Sequence, residues 1–244
     1  MTHLITYATE NMSKAAQLCV ESGKNNGVDW GYFKRSTFIE PYFISCNQSI
    51  FESERGAGYW LWKPYIIGAY LARMAEGEIL IYSDAGVEFI NNVSHIIEKM
   101  DQDIFLFGNN WNHVDWCKGD VMQAIPSQIQ TTDKQVQASV IFIRNTERSR
   151  KFVKEWLLYC QMPGLIDDSP SATPNYPTFQ EHRHDQAILT QLAYKYGIKL
   201  HWWPATYNNG AFNYEKLPCY SSDNYPIIFH HHRLRDNEFD QYKK

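Results

Sequence analysis

Apolar residues in this chain fall into short runs separated by stretches of helical spacing. "HLITYAT" (residues 3–9) reads as a strand, and residues 12–21 carry apolar side chains at helical intervals, so a βα unit opens the chain. A polar segment around "SGKNNG" follows, and residues 30–51 are less regular, with Pro41 and the alternation of "YFISC" predicting a second short strand. Pro64 stands where a helix begins. Ile66, Ile67, Tyr70, Leu71 and Met74 then recur at i, i+1, i+4, i+5 and i+8, an amphipathic helix ending near Gly77. "EILIYSD" (78–84) is a continuous apolar run, as in a strand buried on both faces of a mostly parallel sheet. Further strands are predicted at 103–107 and 138–143, and a helix at 147–159. Residues 162–178, rich in Pro, Ser and Asp, read as a loop of lid-like length. A helix over 183–196 closes on Gly197 as its C-cap, and two last strands, "IKLHWW" and "PIIFHHH", precede a charged tail. This rhythm predicts an α/β protein with a mostly parallel central sheet flanked by helices, and the length of 244 residues suits one domain over 1–244.

Composition narrows the picture. No run approaches the ~20 apolar residues of a bilayer span. The N-terminus has neither a basic n-region nor an apolar h-region, so a soluble, cytoplasmic protein is expected, in host cytoplasm or a virion interior if the source is viral. Cys19, Cys46, Cys117, Cys160 and Cys219 are scattered without CxxC spacing, which predicts free thiols. With net charge −4 and dispersed basic residues, nucleic acid is not an expected partner. Aromatics make up 15% of the chain, and Trp and Tyr faces stack on sugars and bases as well as they pack, which hints at a carbohydrate or nucleotide ligand.

Two stretches concentrate candidate chemistry. In an open α/β sheet, ligands bind beyond the carboxyl ends of the strands, and Asp84 ends one. It either forms a turn with Ser83 and Gly86 or offers hard carboxylate oxygens to a divalent cation that carries a diphosphate. "RGAGYWLWKPYII" sets Arg55 and Lys63 beside a glycine pair, aromatic faces and a helix N-terminus, which together suit a nucleoside diphosphate. A hydrophobic staple with a solvated Lys63 is the plain alternative.

Residues 55–67, 79–86, "WCKGD" (116–120), 135–157 and 182–198, an ordered set of blocks spanning roughly 55–235, together resemble glycosyltransferases of the GT-A fold. Kin of this kind are the small sugar transferases of large algal viruses (chloroviruses) and of bacterial polysaccharide clusters. The resemblance implies a single Rossmann-like GT-A domain that moves a hexosyl or pentosyl group from a UDP-sugar donor to a hydroxyl of a glycan acceptor. It places Thr6, Tyr7 and Ala8 at the nucleobase and Lys63 and Arg55 facing the donor. Asp84, Ala85 and Gly86 fall on the family's Asp-x-Asp metal motif for Mn²⁺ or Mg²⁺, with Gly86 where the second carboxylate belongs. The family often completes that metal site with a C-terminal histidine. In "FHHHR", His230 and His232 share one face of a strand and His231 takes the other, and one of the three is the candidate, with His230 and His232 set beside Asp84.

Asp185 in "RHDQ" is the expected catalytic base of an inverting transfer, taking the acceptor proton, or else an N-terminal cap of its helix. His184 and Arg183 stand beside it to set its ionisation or touch the diphosphate, and Gln186 to position. Trp111, His113, Asp115 and Trp116 are candidates for the acceptor or donor-sugar pocket. For Trp116 a core anchor, and for Asp120 a helix cap, are the alternatives. A retaining course stays open, because carboxylate placement in space decides it. A noncatalytic sugar-binding protein of the same fold is the second functional reading, kept by Gly86. A nucleotidyltransferase would need a glycine-rich and basic phosphate loop, which "TYATENMSK" lacks.

Overall fold

The computed structural model describes residues 1–35, 38–207 and 215–239. Strand β1 (Thr2–Ala8) is almost wholly buried, and helix α1 (Ser13–Asn25) packs back on it, with Ala15 and Ala16 against Ala8 and Cys19 among the residues around Leu4. Strand β2 (Trp30–Arg35) pairs in parallel with β1. It lies at a sheet edge with Trp30 and Tyr32 exposed, so it lacks the apolar run by which a strand is read. The strand expected at "YFISC" is instead a helix, α2 (Pro41–Cys46), with Pro41 at its first turn. Proline fits there because its missing N–H needs no partner and its φ already suits a helix. The alternation was misleading since no strand lies alongside: Phe43 stacks on Tyr65 while Tyr42 faces solvent.

Two short helices, α3 (Gln48–Phe51) and α4 (Gly56–Tyr59), lead to α5 (Trp62–Leu71). Helix α5 stops six residues short of Gly77, where Asn145 takes over: its side-chain amide donates to the carbonyls of Met74 and Ala75. After β3 (Ile79–Ser83) come β4 (Val87–Phe89), α6 (Ser94–Ile97), β5 (Ile104–Asn112) and α7 (Gly119–Ala124). The chain continues through β6 (Lys134–Arg144), α8 (Glu147–Cys160), α9 (His184–Lys195), β7 (Leu200–Trp202), β8 (Ala205–Tyr207) and β9 (Phe229–His231).

The main sheet has the order β2-β1-β3-β6-β5-β7, and every strand runs parallel to β1 except β6, which is antiparallel to both neighbours. The two predicted last strands belong to different sheets: β7 ends the main sheet, whereas β9 pairs with β4 and β8 in a second, three-stranded sheet. Side chains alternate along β3, as they must on a pleated strand. Leu80 and Tyr82 join the core under α5, α8 and α9, while Ile79 and Ile81 join the core to which Phe229 comes from the small sheet and Trp203 from the link between β7 and β8. Covering both faces makes the mixed α/β layers of this fold and explains why "ILIYS" is apolar throughout. Because β6 runs backwards, its first half lies at the same sheet edge as the carboxyl ends of β1 and β3: Asp84 N donates to Ser139 O at 2.7 Å. No helix among the described residues is long and apolar enough to cross a membrane.

Candidate active site

A cavity of about 880 Å³ opens at that edge. Tyr7 and Ala8 from β1, Trp62 and Lys63 from α5, Asp84 to Gly86 after β3, and Gln137 to Ser139 of β6 form its floor and walls. Arg183 to Gln186 at the start of α9, and His231, Arg233 and Arg235 at and beyond the end of β9, close the sides.

Its centre is a buried ammonium shared by two carboxylates. Lys63 is 3% exposed, with Nζ 3.4 Å from Asp84 Oδ1, 3.3 Å from Asp185 Oδ2, and donating to Ala138 O at 3.3 Å. A lysine this deep keeps its charge only where opposite charges offset desolvation. Burial works against the Lys63 ammonium, but Asp185 and Asp84 outweigh it and hold its pKa above the ordinary value. One ammonium cannot fully neutralise two carboxylates. Burial therefore wins at Asp185, aided by repulsion from Asp84 and opposed by Lys63, and its pKa is pushed up to about 6. Asp84 is steadied by Tyr82, whose hydroxyl donates to Oδ1 at 2.5 Å. Asp185 does not act as a side-chain cap of α9, since its carboxylate turns to Lys63.

The backbone around the cavity is strained. Among the described residues the non-glycine residues with left-handed φ are Ala57 (52°), Tyr59 (49°), Trp60 (61°), His184 (48°) and Arg233 (56°). Four of these line the cavity, and the fifth, Tyr59, lies 4.9 Å from the ring of His184. Each such residue costs roughly 1–2 kcal/mol, and strain of this kind collects where a site needs a particular geometry. The segment before α5 is a run of left-handed residues closed by the Trp62 indole, which donates to Gly56 O at 2.9 Å. That turn is what delivers Lys63 inward.

Of the residues singled out from sequence, Tyr7, Ala8, Arg55, Lys63, Asp84, Ala85, Gly86, Trp111, His184 and Asp185 all border the cavity. Thr6 lies elsewhere. It is fully buried, its side chain on the face of β1 that meets Cys19, because alternation sends neighbours to opposite faces. His113 is also fully buried, against Gln191 Oε1 at 3.1 Å, and burial pushes its pKa down to about 4. Asp115 accepts from Thr178 Oγ1 at 2.5 Å and serves the loop rather than the cavity.

The histidine run divides as β9 pairing dictates. His230 meets Thr206 Oγ1 at 2.8 Å, and His232 Nδ1 accepts from Leu234 N at 3.1 Å, so neither borders the cavity. His231 does, and burial, with Arg233 nearby, pushes its pKa down to about 3. Arg233 and Arg235 were not singled out at all. Their signal was the basic pair in "HHHRLR", read only as the start of a charged tail.

"WCKGD" buckles down the expected lid. Buried Lys118 donates to Gly164 O at 2.6 Å and Ser169 Oγ at 3.2 Å, and Asp120 accepts from the backbone N–H groups of Ala172 and Thr173. Gly119 N donates to Asn175 Oδ1 at 2.8 Å, and a Cβ on Gly119 would stand 2.4 Å from Pro174 O. His182 and His184 hold the same loop through the carbonyls of Leu165 and Ile166. Trp116 stacks on Trp111 at 4.7 Å, with the Arg183 guanidinium 4.5 Å from the Trp116 ring centre.

The resemblance implies a divalent cation beside Asp84, and the residues present do not fit one. Among the described residues no group of three His, Cys, Asp or Glu is placed to hold a metal ion. Asp84 Oδ1 already serves Tyr82 and Lys63, and His231 Nε2 faces the Arg233 Nε at 3.5 Å. A second carboxylate at position 86 would be crowded: a Cβ there would stand 3.0 Å from Arg233 Cα and 3.2 Å from its N.

Several solved structures are similar to the chain. The galactosyltransferase LgtC, solved with donor and acceptor sugar analogs, matches over 95% of this chain and 87% of its own at 14% identity and a TM-score of 0.55. Mouse xyloside xylosyltransferase 1 matches over 96% and 98% at 9% identity and 0.52. The bifunctional glycosyltransferase WbbM matches over 96% of this chain and 46% of its own at 8% identity and 0.54. At such identities the likeness is one of fold, and that fold is GT-A. No protein-family model and no curated protein matches the sequence.

Proposed function

We propose that this protein is a glycosyltransferase that moves a sugar from a UDP-sugar to a hydroxyl of a glycan, using the cavity at the ends of β1 and β3 as a single-domain active site. The observation that carries this reading is the buried Asp84–Lys63–Asp185 set just beyond the carboxyl end of β3, the side of an α/β sheet on which ligands bind. A merely structural ion pair does not need a cavity, and it is not ringed by strained backbone.

In the inverting course the acceptor oxygen attacks the anomeric carbon, forming a new C–O bond. The bond to the diphosphate breaks, and its electron pair leaves with UDP. The acceptor proton passes to Asp185, whose pKa of about 6 puts an ionised base at neutral pH. Lys63 keeps that carboxylate oriented. Tyr7, stacked on Trp62 at 4.0 Å, gives the nucleobase end an ordered aromatic wall. Trp111 and Arg183, the guanidinium 5.0 Å from the indole, also line the cavity and are assigned to the acceptor.

One observation favours a second role for Asp185: its Oδ2 is buried against Lys63, which suits a carboxylate that grips donor-sugar hydroxyls in a retaining transfer. The experiment is incubation with a UDP-sugar panel and a glycan acceptor, followed by NMR of the product anomer. Inversion together with loss of transfer in Asp185→Asn supports the base. Retention assigns Asp185 to the sugar hydroxyls, and absence of UDP release from every donor leaves the noncatalytic reading.

A further inference from the structure

Resting on the nucleotide-sugar reading, we infer that the donor diphosphate is neutralised by Arg233 and Arg235 in place of a divalent cation. Lys63 is already committed to two carboxylates, so the charge of a diphosphate needs other cations. Arg233 and Arg235 line the same cavity as Asp84 and Gly86. Guanidinium groups bind phosphate oxygens bidentately and stay charged at any working pH.

Three features show the arginine arm to be built. Arg233 holds a left-handed φ of 56°, and it is fixed by its Nε on His231 at 3.5 Å and by the Tyr207 ring at 5.7 Å. Its backbone N donates to Gly86 O at 3.2 Å, and the missing Cβ of Gly86 is the space that lets the two segments meet. The glycine at 86 thereby leaves room for the backbone of residue 233, which carries the Arg233 side chain to the cavity. Beyond Arg235, Asp236 accepts from the N–H groups of Ser13 and Lys14 at 3.1 and 2.8 Å, and its own N donates to Asn11 O at 2.9 Å. The arm is thereby pinned to the start of α1 beside Asn11 and Met12, which also line the cavity, so it is ordered before a ligand arrives.

Calorimetric titration of UDP and of uridine, each with a chelator and then with Mn²⁺, tests this. UDP affinity should stay within about threefold between the two conditions. Arg233→Gly, which suits a left-handed backbone, should weaken UDP about tenfold or more and leave uridine unchanged. Arg235→Gln should weaken UDP in the same sense. A tenfold or larger gain in UDP affinity on adding Mn²⁺, or an Arg233→Gly protein that binds UDP as before, overturns the inference while leaving the nucleotide-sugar reading intact. Failure to bind UDP, uridine or any other nucleoside diphosphate overturns both.

Discussion

Replacing Lys63 by methionine keeps an unbranched side chain of nearly the same length and removes the charge that Asp84 and Asp185 share. The consequence is a pH dependence that can be worked out from linkage. In the wild type Asp185 titrates at about 6, against ~3.9 for an unfolded aspartate. A raised carboxyl pKa stabilises the fold fully below the unfolded value, and that stability is lost as pH rises. At about 1.4 kcal/mol per pH unit, the wild type loses about 3 kcal/mol between pH ~4 and ~6 and then levels off. Without Lys63 the carboxyl at this depth stays protonated to higher pH, towards the ~8 that deeply buried carboxyls reach, because its chief opposing charge is gone and only the Gln186 backbone N–H still pulls its pKa down. The variant therefore keeps losing stability where the wild type is flat, about 3 kcal/mol more by pH ~8. Lost packing and the change at Asp84 add a part that does not vary with pH, bringing the total at pH ~8 to the ~3–5 kcal/mol or more expected on breaking a buried pair. Urea unfolding of both proteins from pH 5 to 8 measures this. Adding Asp185→Asn to the variant should remove the extra slope. Parallel curves, or a double variant as pH-sensitive as the single one, would refute the reasoning.

The remaining predictions concern catalysis and the loop that frames the site. If Asp185 is the base, the rate of transfer should fall as pH drops through about 6, with Asp185→Asn abolishing transfer and sparing UDP binding; an unchanged acid limb in the variant would assign the titration to another group. Gly86→Asp should cost about 1–3 kcal/mol in thermal or urea unfolding without creating Mn²⁺ affinity, because its Cβ would crowd the Arg233 backbone at 3.0 Å. Gly119→Ala should free the 162–178 loop, since its Cβ would stand 2.4 Å from Pro174 O, and faster proteolytic cleavage within that loop is the readout.

The strands buried on both faces were legible because burial writes itself into sequence as unbroken apolar runs, as in "ILIYS". Strand β2 was not, because an edge strand with exposed rings carries no such run, and Pro41 with "YFISC" imitated one in a segment that packs as a helix. The pieces of the cavity were legible as motifs around Lys63, Asp84 and Asp185, and the resemblance set them in one donor site. Their contact geometry was not legible: it depends on β6 running antiparallel and bringing Ala138 and Ser139 to the edge where β1 and β3 end. The arginine arm escaped because its signal lies in backbone conformation. Nothing in "HHHRLR" announces that Arg233 takes a left-handed φ against Gly86, or that His231 is the histidine facing the cavity. "WCKGD" entered as a block of the resemblance, with Trp116 a candidate for the sugar pocket and Asp120 for a helix cap. Only the position of residues 162–178 shows the lysine and aspartate turned to the loop.

The most direct test of the proposed activity is UDP release from a panel of UDP-sugars offered with a glycan acceptor, run beside Asp185→Asn. The account predicts release from at least one donor with transfer to the acceptor, and loss of that transfer in the variant with UDP still bound. Bound UDP-sugar without release from any donor would contradict it.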